Sequence, residues 1–333
     1  MKAIFLCENA DTCHRVYDDG VVSRLRGMTE LDEIIYTKSD ILSNYDKPSD
    51  TEIIFSTWGM PTFSEEEIKK YLPNLKCVFY AAGTVQKFAR PFLNCGVKVF
   101  SAWAANAVPV AEYTVAQIIL SGKGFYTQTR LMAEKRLDDA KARKDDCIGN
   151  YRERVGLIGC GMIGSLVAEM LKAYQLDVLV YDPFLSEDKA RALNVSPVSL
   201  DTLFSSCRVV SNHLANNEAT KGMLCYGHFS SMPEYATFIN TGRGAQVVEN
   251  DLVLALTERP DLTAVLDVTH PEPAEPSHPF YTLPNCFMTP HIAGSLGGEV
   301  VRMAEYMVNE LECYSAGKPC RYEVSLKMLE TMA

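Results

Sequence analysis

The fold is decided by RVGLI (Arg154–Ile158), followed directly by GCGMIG (Gly159–Gly164) and SLVAEML (Ser165–Leu171). These segments predict a short apolar strand, a turn with the spacing Gly-x-Gly-x-x-Gly, and a helix. The first glycine allows a tight turn, the second lets a pyrophosphate approach the backbone, and the third lets the helix pack on the strand. The helix N-terminus adds unpaired N–H groups and a positive dipole end. A dinucleotide-binding turn is therefore predicted, with a simple packing turn as the alternative.

A second apolar strand, Val178–Tyr181, supports the dinucleotide interpretation. It ends in Asp182, which lies 18 residues after Gly164. A carboxylate at this place accepts hydrogen bonds from an adenosine ribose. No arginine within Pro183–Asp188 would neutralise a 2′-phosphate. We therefore predict that the cofactor is NAD(H) and that NADH is preferred over NADPH.

Composition limits the remaining function classes. A chain of 333 residues is long enough for two domains, and its 47% hydrophobic and 22% charged content is typical of a folded globular protein. The net charge of −10 and a pI near 5.2 argue against nucleic acid or an anionic membrane as a partner. Eleven cysteines without a Cys-x-x-Cys pair are typical of reduced thiols in a cytoplasm. No cluster has the spacing of metal ligands.

The residues before the glycine turn have their own alternation of strands and helices. This alternation predicts a parallel, doubly wound sheet. A helix is expected over Ser64–Tyr71, and another is expected to begin at Asn106 as the cap, with Pro109 in its first turn. The charged stretch Glu134–Glu153 is either a solvated helix face and loop or an oligomer contact. The predicted strands are Lys2–Leu6, Glu33–Tyr36, Ile53–Ser56, Cys77–Ala82 and Val97–Phe100.

Further strands follow the glycine turn and complete a second sheet. No partner remains in that sheet for Arg321–Val324, so the C-terminal segment, with a helix over Gly297–Ser315 that ends at Gly317, is expected to return to the first domain. The fold class is thus α/β with two doubly wound parallel-sheet domains and a cleft between them. The predicted domains are 1–103 with 297–333, and 104–296. The later strands are Arg208–Ser211, Ala236–Asn240, Ala264–Asp267 and Cys286–Thr289.

Three of these strands are followed by motifs that hold Arg243, Glu272 and His291. Ligands of open α/β sheets gather at the carboxyl ends of strands. Reduction of a 2-keto acid needs a cation for the carboxylate, a proton donor for the alkoxide, and a group that orients the donor. Arginine binds carboxylate bidentately, histidine titrates near neutral pH, and a glutamate orients an imidazole. The motifs are Asn240–Gly244, Asp267–Pro273 and Thr289–Gly294.

Each of the three residues also has a simpler interpretation. Arg243 would otherwise be a surface residue in a turn, His291 a loop histidine, and Glu272 a solvated carboxylate between prolines. Their occurrence at successive strand ends after a dinucleotide turn favours catalysis. His213 ends another strand and is predicted to line the cofactor site through its backbone. The other histidines are expected to be structural or exposed, without matching partners: His14, His228, His270 and His278.

At these motifs the sequence resembles the D-isomer-specific 2-hydroxyacid dehydrogenase family, most strongly from Val155 to Gly294. The resemblance implies a flavodoxin-like substrate domain, a Rossmann NAD-binding domain, and a homodimer built on the latter. It implies reversible NAD(H)-dependent reduction of a 2-keto acid to a D-2-hydroxy acid, with Arg243 as the carboxylate clamp and His291 with Glu272 as the acid/base pair. The implied cofactor-binding residues are Gly159, Gly161, Met162, Ile163, Gly164, Asp182, His213, Thr241 and Asp267.

The loop Ala82–Gln86 departs from the family, which often has Gly-x-Gly-x-Asp-Asn there. The family's loop offers backbone N–H groups to the substrate carboxylate, so the resemblance assigns that role to Gly83 and Thr84. The change leaves the identity of the 2-hydroxy acid open. A non-catalytic, NAD(H)-sensing interaction protein on the same scaffold is the alternative function, since a fold alone does not fix function.

Overall fold

The structure, a computed structural model, describes residues 1–43 and 50–330. Its chain forms two compact units, one of Met1–Asn106 with Ser295–Ala333 and one of Ala107–Gly294. The predicted domain of residues 1–103 and 297–333 includes 44–49 and 331–333, which lie outside the described residues. Within the described ranges no helix is long and apolar enough to cross a membrane.

Thirteen strands occur in the described residues, and they form two sheets. In chain order they are β1 (Lys2–Leu6), β2 (Glu30–Tyr36), β3 (Ile53–Ser56), β4 (Cys77–Tyr80), β5 (Lys98–Ser101), β6 (Tyr151–Ile158), β7 (Gln175–Tyr181), β8 (Ser196–Pro197), β9 (Val209–Asn212), β10 (Thr237–Asn240), β11 (Thr263–Leu266), β12 (Cys286–Met288) and β13 (Glu323–Val324).

The α-helices alternate with these strands, as parallel strand connections require. In chain order they are α1 (Ala10–Val16), α2 (Asp19–Met28), α3 (Lys38–Ser43), α4 (Glu65–Tyr71), α5 (Ala89–Asn94), α6 (Trp103–Gly122), α7 (Phe125–Ala133), α8 (Leu137–Ala142), α9 (Met162–Leu171), α10 (Glu187–Leu193), α11 (Leu200–Ser206), α12 (Tyr226–Ser230), α13 (Glu249–Glu258) and α14 (Glu299–Ser315).

The first unit has the sheet order β13-β5-β4-β3-β1-β2. Strands β1 to β5 pair in parallel, and their order 2-1-3-4-5 is that of flavodoxin-like sheets. Alternate residues enter opposite cores: Phe55 packs in a cluster with Phe79, whereas Ile54 packs in a cluster with Val78. Both faces of the sheet are therefore covered, which confirms the predicted doubly wound architecture.

The C-terminal segment belongs to this first unit. Helix α14 packs against α1 and α2, and β13 pairs antiparallel with β5 through Glu323 opposite Phe100. Gly317 follows α14 with φ +64°, and the N–H of Lys318 returns to the carbonyl of Cys313. A glycine in the left-handed conformation ends the helix there, as the sequence predicts.

The second unit has the fully parallel order β12-β11-β10-β9-β6-β7-β8. The chain order reverses between β6 and β9, so the turn after β6 lies at the switch point where such sheets bind ligands. Two apolar clusters cover the two faces, one with Leu157 and Ile239 and the other with Ile158 and Phe238. The predicted Rossmann-type sheet is confirmed.

The start of α6 corrects one expectation. The helix begins at Trp103, so Asn106 is a helical residue and not the cap, and Pro109 lies inside the helix. The carbonyl of Ala102 already accepts hydrogen bonds from the N–H groups of Ala105 and Asn106. The Asn106 side chain instead accepts from the backbone N–H of Ser295, 3.0 Å away. A residue typical of caps is used here for a contact distant in sequence.

Candidate active site

The three glycines of the turn after β6 differ in what surrounds them. A Cβ on Gly159, which has φ +89°, would lie 2.8 Å from the carbonyl oxygen of His213. A Cβ on Gly164 would lie 2.1 Å from the carbonyl oxygen of Gly159. Around Gly161, by contrast, nothing lies within 4 Å of a Cβ. Two glycines thus permit close backbone packing, and the middle one leaves open space next to the chain.

The N-terminus of α9 faces this open space with its amide groups unpaired. Gly161 is the N-cap and has no side chain to accept from the first turn. The first N–H groups of a helix have no partner within the helix, so those of Met162 and Ile163 remain available to a ligand. Such a terminus binds phosphate. The turn therefore fits the pyrophosphate of a dinucleotide.

Asp182 follows β7 and lies against the same turn. Its Oδ2 accepts a hydrogen bond from the N–H of Cys160 at 2.6 Å, and its Oδ1 accepts from the N–H of Phe184 at 2.8 Å. Each carboxylate oxygen has a second lone pair, which is free for ribose hydroxyls. Lys189, which belongs to none of the sequence motifs, donates from Nζ to the carbonyl of Cys160 at 2.6 Å.

His213 lies behind the glycine turn. Its backbone N–H donates to the carbonyl of Ile158 at 2.7 Å, and its carbonyl faces Gly159. Part of the residue is accessible, but both ring nitrogens are buried and have no hydrogen-bond partner among the described residues. Burial lowers the pKa of His213 to about 3, because the charged form would lose its hydration. The imidazole is therefore neutral near pH 7.

The predicted acid/base residues meet in the second unit. Nδ1 of His291 lies 2.5 Å from Oε1 of Glu272, and both side chains are exposed, by 45% and 39%. Their loops follow β12 and β11, which are adjacent in the sheet. His291 has φ +55°, which is uncommon for a residue other than glycine. Residues in such conformations cluster at functional sites.

Asp267 fixes the loop that carries His291. Its buried carboxylate accepts from Thr289 Oγ1 at 2.6 Å, from the N–H of Ile292 at 2.8 Å and from the N–H of Ala293 at 2.9 Å. The backbone N–H of His291 donates to the carbonyl of Asp267. The resemblance assigns Asp267 to the cofactor, and that contact remains a prediction. These four bonds show that Asp267 holds the loop of His291 in place.

Arg243 follows β10, the next strand of the sheet. Its Nη1 donates to the carbonyl of Gly242 at 2.8 Å, and its backbone N–H donates to Oε1 of Gln246 at 3.2 Å. Gln246 is fully buried and also binds Asn212 and the carbonyl of Leu214. Sequence reasoning missed Gln246, although a glutamine three residues after the arginine was the available signal.

Thr241 lies just before Arg243 and is also buried. Its Oγ1 lies 3.1 Å from Oγ1 of Thr114, a residue of α6. The hydroxyl therefore ties the end of β10 to this helix. The predicted contact of Thr241 with the cofactor remains a prediction.

The remaining predicted pair, Gly83 and Thr84, belongs to the first unit. Ser101 Oγ donates to the carbonyl of Gly83 at 2.6 Å, which orients the peptide. The backbone N–H groups of Gly83 and Thr84 donate to no acceptor within residues 1–43 and 50–330. They are therefore free to receive an anionic group.

Two of the histidines expected to lack partners do have them. His228 Nδ1 accepts from the N–H of Cys225 at 3.2 Å, and its Nε2 lies 3.8 Å from Asp201. His278 Nε2 lies 3.4 Å from Oε2 of Glu249. The expectation that these two histidines lack partners was wrong, because Asp201 and Glu249 are distant in sequence from the histidines that they face. The described part of the chain has no group of three or more His, Cys, Asp or Glu residues that fits a metal ion.

Comparison with known proteins gives a family match. The sequence model for the D-isomer specific 2-hydroxyacid dehydrogenase NAD binding domain matches residues 115–293, more than half of the chain. A D-3-phosphoglycerate dehydrogenase of Archaeoglobus fulgidus is 30% identical over 71% of this chain and 44% of its own length. The chain spans about half the length of the curated relatives it matches.

Solved structures resemble the whole chain. An NAD-dependent formate dehydrogenase from Staphylococcus aureus in complex with NAD has a TM-score of 0.68 at 25% identity, over 96% of this chain and 97% of that one. A D-isomer specific 2-hydroxyacid dehydrogenase from Lactobacillus delbrueckii ssp. bulgaricus, in an NAD-complexed form, has a TM-score of 0.78 at 20% identity, over 98% and 100%. The second similarity, because of its low identity, concerns the fold alone.

Proposed function

The chain belongs to the D-isomer specific 2-hydroxyacid dehydrogenase family, and from this premise we propose that it is an NAD-dependent dehydrogenase that interconverts a small 2-keto acid and its D-2-hydroxy acid. The observation that carries the proposal is the 2.5 Å contact of His291 with Glu272. His291 follows β12 and Glu272 follows β11, and β11 is also the neighbour of β10, which ends before Arg243. A protein that only bound the dinucleotide would not need this pair.

The residues have separate tasks in keto-acid reduction. Bound NADH would supply the hydride that the carbonyl carbon accepts. The guanidinium of Arg243 binds the substrate carboxylate and polarises the carbonyl, since its planar fork matches two oxygens and keeps its charge. Nδ1 of His291 faces Glu272, so Nε2 is the nitrogen left to donate a proton to the carbonyl oxygen. Glu272 orients the ring and stabilises its protonated form.

The free N–H groups of Gly83 and Thr84 support a role in binding the substrate carboxylate. Relatives are named for phosphoglycerate, formate, glyoxylate and hydroxypyruvate. We therefore propose only the class, a small 2-keto acid.

The test is a panel of 2-keto acids assayed with NADH. Pyruvate, glyoxylate, hydroxypyruvate, and branched and aromatic 2-keto acids cover the range of side-chain sizes. We expect turnover of at least one. A purified protein that binds NADH but reduces none of them would favour the alternative, a non-catalytic NAD(H)-sensing protein. No observation on the described residues supports that alternative.

We further propose a homodimer built on the second unit, in the cytoplasm. Exposed apolar side chains on this unit support the dimer, among them Met132, Leu137 and Tyr151, each more than half exposed. Free cysteines throughout the chain support a reducing compartment. Light scattering should give twice the 37.0 kDa chain mass, and Met132→Glu with Leu137→Glu should lower it. A monomeric unmutated protein would contradict the dimer.

A further inference from the structure

A second carboxylate–histidine pair lies beside the loop that carries Glu272. Glu249 is the first residue of α13, and its Oε2 lies 3.4 Å from Nε2 of His278. The two side chains are only 12% and 16% exposed, in contrast to the accessible pair of Glu272 and His291. Neither residue has a task in the chemistry described above.

The other oxygen of Glu249 holds the backbone of the Glu272 loop. Oε1 accepts a hydrogen bond from the N–H of His270 at 2.8 Å. His270 lies only two residues before Glu272, in the segment Thr269–Pro273. The position of Glu272 therefore depends on a peptide group that a buried carboxylate fixes.

His278 is suited to hold Glu249 in this orientation. Its Nδ1 accepts from the N–H of Phe280 at 3.2 Å, so the proton of the neutral ring lies on Nε2, towards Glu249. Burial raises the pKa of Glu249, and the N–H of His270 together with His278 opposes that rise. The Nε2–H side of the ring thus faces the second carboxylate oxygen across 3.4 Å, which is longer than a normal hydrogen bond.

The Arg243 loop touches the same segment. A Cβ on Gly244 would lie 2.1 Å from the backbone carbon of Thr269 and 2.6 Å from the nitrogen of His270. Glycine is therefore required for the two loops to pack backbone to backbone. Glu249, five residues after Gly244, connects the segment behind Arg243 to the segment before Glu272.

We propose that Glu249, oriented by His278, is a positioning residue that holds the Thr269–Pro273 segment so that Glu272 meets His291. The proposal rests on the proposed function in one respect, since it takes Glu272 as the partner of the acid/base histidine. Glu249 touches no reacting atom and acts through the His270 peptide.

The test compares Glu249→Ala and Glu249→Asp with Asp251→Ala. Alanine removes the acceptor, and aspartate keeps the charge but withdraws it from the His270 N–H. Asp251 is a matched control because it lies in the same helical turn, and its Oδ2 accepts from a different backbone group, the N–H of Tyr226, at 2.9 Å. Crystal structures and pH–rate profiles of keto-acid reduction are measured for the full-length variants.

In both Glu249 variants we expect the Glu272 to His291 contact to be broken. We also expect kcat to fall about 10- to 100-fold, as for a group misplaced by about 1 Å. The pH above which keto-acid reduction fails should be lower in these variants, and we expect the same of Glu272→Gln, which removes the carboxylate itself; a merely structural role of Glu249 would not move this pH. Asp251→Ala should retain the contact and the profile. If Glu249→Ala does not fold, Glu249→Asp and His278→Ala test the proposal in its place. Both should lose the contact between Glu272 and His291.

An intact 2.5 Å contact and an unchanged profile in the Glu249 variants would overturn the proposal. The crystal structures need no turnover, so the two proposals fail separately. A protein that reduces no 2-keto acid, yet loses the contact in the Glu249 variants, would refute the proposed function alone. An active protein whose variants keep the contact would refute the positioning role alone.

Discussion

Nδ1 of His291 lies 2.5 Å from Oε1 of Glu272, in a loop that the carboxylate of Asp267 holds through the N–H groups of Ile292 and Ala293. A hydrogen bond between an imidazole and a charged carboxylate is strong because the acceptor carries a charge. The ring is thereby fixed with Nε2 directed away from the carboxylate. Because of this contact, substitution of either residue should change the rate of keto-acid reduction or its dependence on pH.

Glu272→Gln should keep the fold and shift the pH dependence of keto-acid reduction. The amide lacks the negative charge that the carboxylate places beside the imidazole, so we expect the falling limb of the pH–rate profile to move to lower pH. The profile of kcat against pH measures this. The same profile in both proteins would remove Glu272 from its assigned role.

His291→Ala should lower kcat with little effect on NADH binding. It removes the proton donor, and general acid–base catalysis contributes about 10²- to 10⁴-fold. Steady-state kinetics and a fluorescence titration with NADH separate the two effects. His14→Ala is the control because it removes an exposed histidine from the first unit. An equal loss in both variants would argue against catalysis by His291.

The sequence predicts those parts of the site that local spacing determines. The glycine turn, Asp182 and the strand ends before Arg243 and His291 follow from short patterns, because turn and strand signals involve neighbouring residues. Strand bounds are less well predicted. Strand β2 begins at Glu30, three residues before the expected start, because it lies at the sheet edge, where polar side chains stay exposed.

Contacts between distant residues could not be predicted. Glu249 reaches the N–H of His270 across 21 positions, and Lys189 reaches the carbonyl of Cys160 across 29. Neither contact leaves a periodic signal in the sequence. Asn106 shows the same limit, since its side chain binds Ser295 rather than capping α6. Such contacts depend on which strands become neighbours.

We predict a preference for NADH over NADPH that Asp182→Ala reduces. The carboxylate lies beside the glycine turn and would repel a 2′-phosphate. Lys189 is the nearby cation, but its Nζ is already bound to the carbonyl of Cys160. The ratio of kcat/KM for the two cofactors measures the preference. Lys189→Ala should leave this ratio unchanged if the preference comes from Asp182. Equal values for both cofactors in the unmutated protein would contradict the prediction.

His213 should make the folded protein less stable in acid. Its pKa is lowered to about 3, whereas an unfolded histidine has a pKa of about 6.5. Between these two pH values only the unfolded state binds the proton. The free energy of unfolding therefore decreases by up to about 1.4 kcal/mol for each unit by which the pH is lowered. His213→Asn should flatten this slope in urea unfolding measured between pH 6 and 4.5. His14→Asn should not, and equal slopes in all three proteins would contradict the assignment.

Arg243→Lys distinguishes bidentate recognition from simple charge. Lysine keeps the positive charge but loses the planar fork, so a purely electrostatic role predicts a mild defect. Binding of the carboxylate by two N–H groups, with polarisation of the carbonyl, predicts a severe one in which KM for the keto acid rises and kcat falls together, because the contact persists into the transition state. We expect the severe defect in steady-state kinetics. Arg191→Lys, at an exposed ion pair with Asp188, is the control and should behave as the unmutated protein does. A mild defect would contradict bidentate recognition and leave Arg243 with a purely electrostatic role.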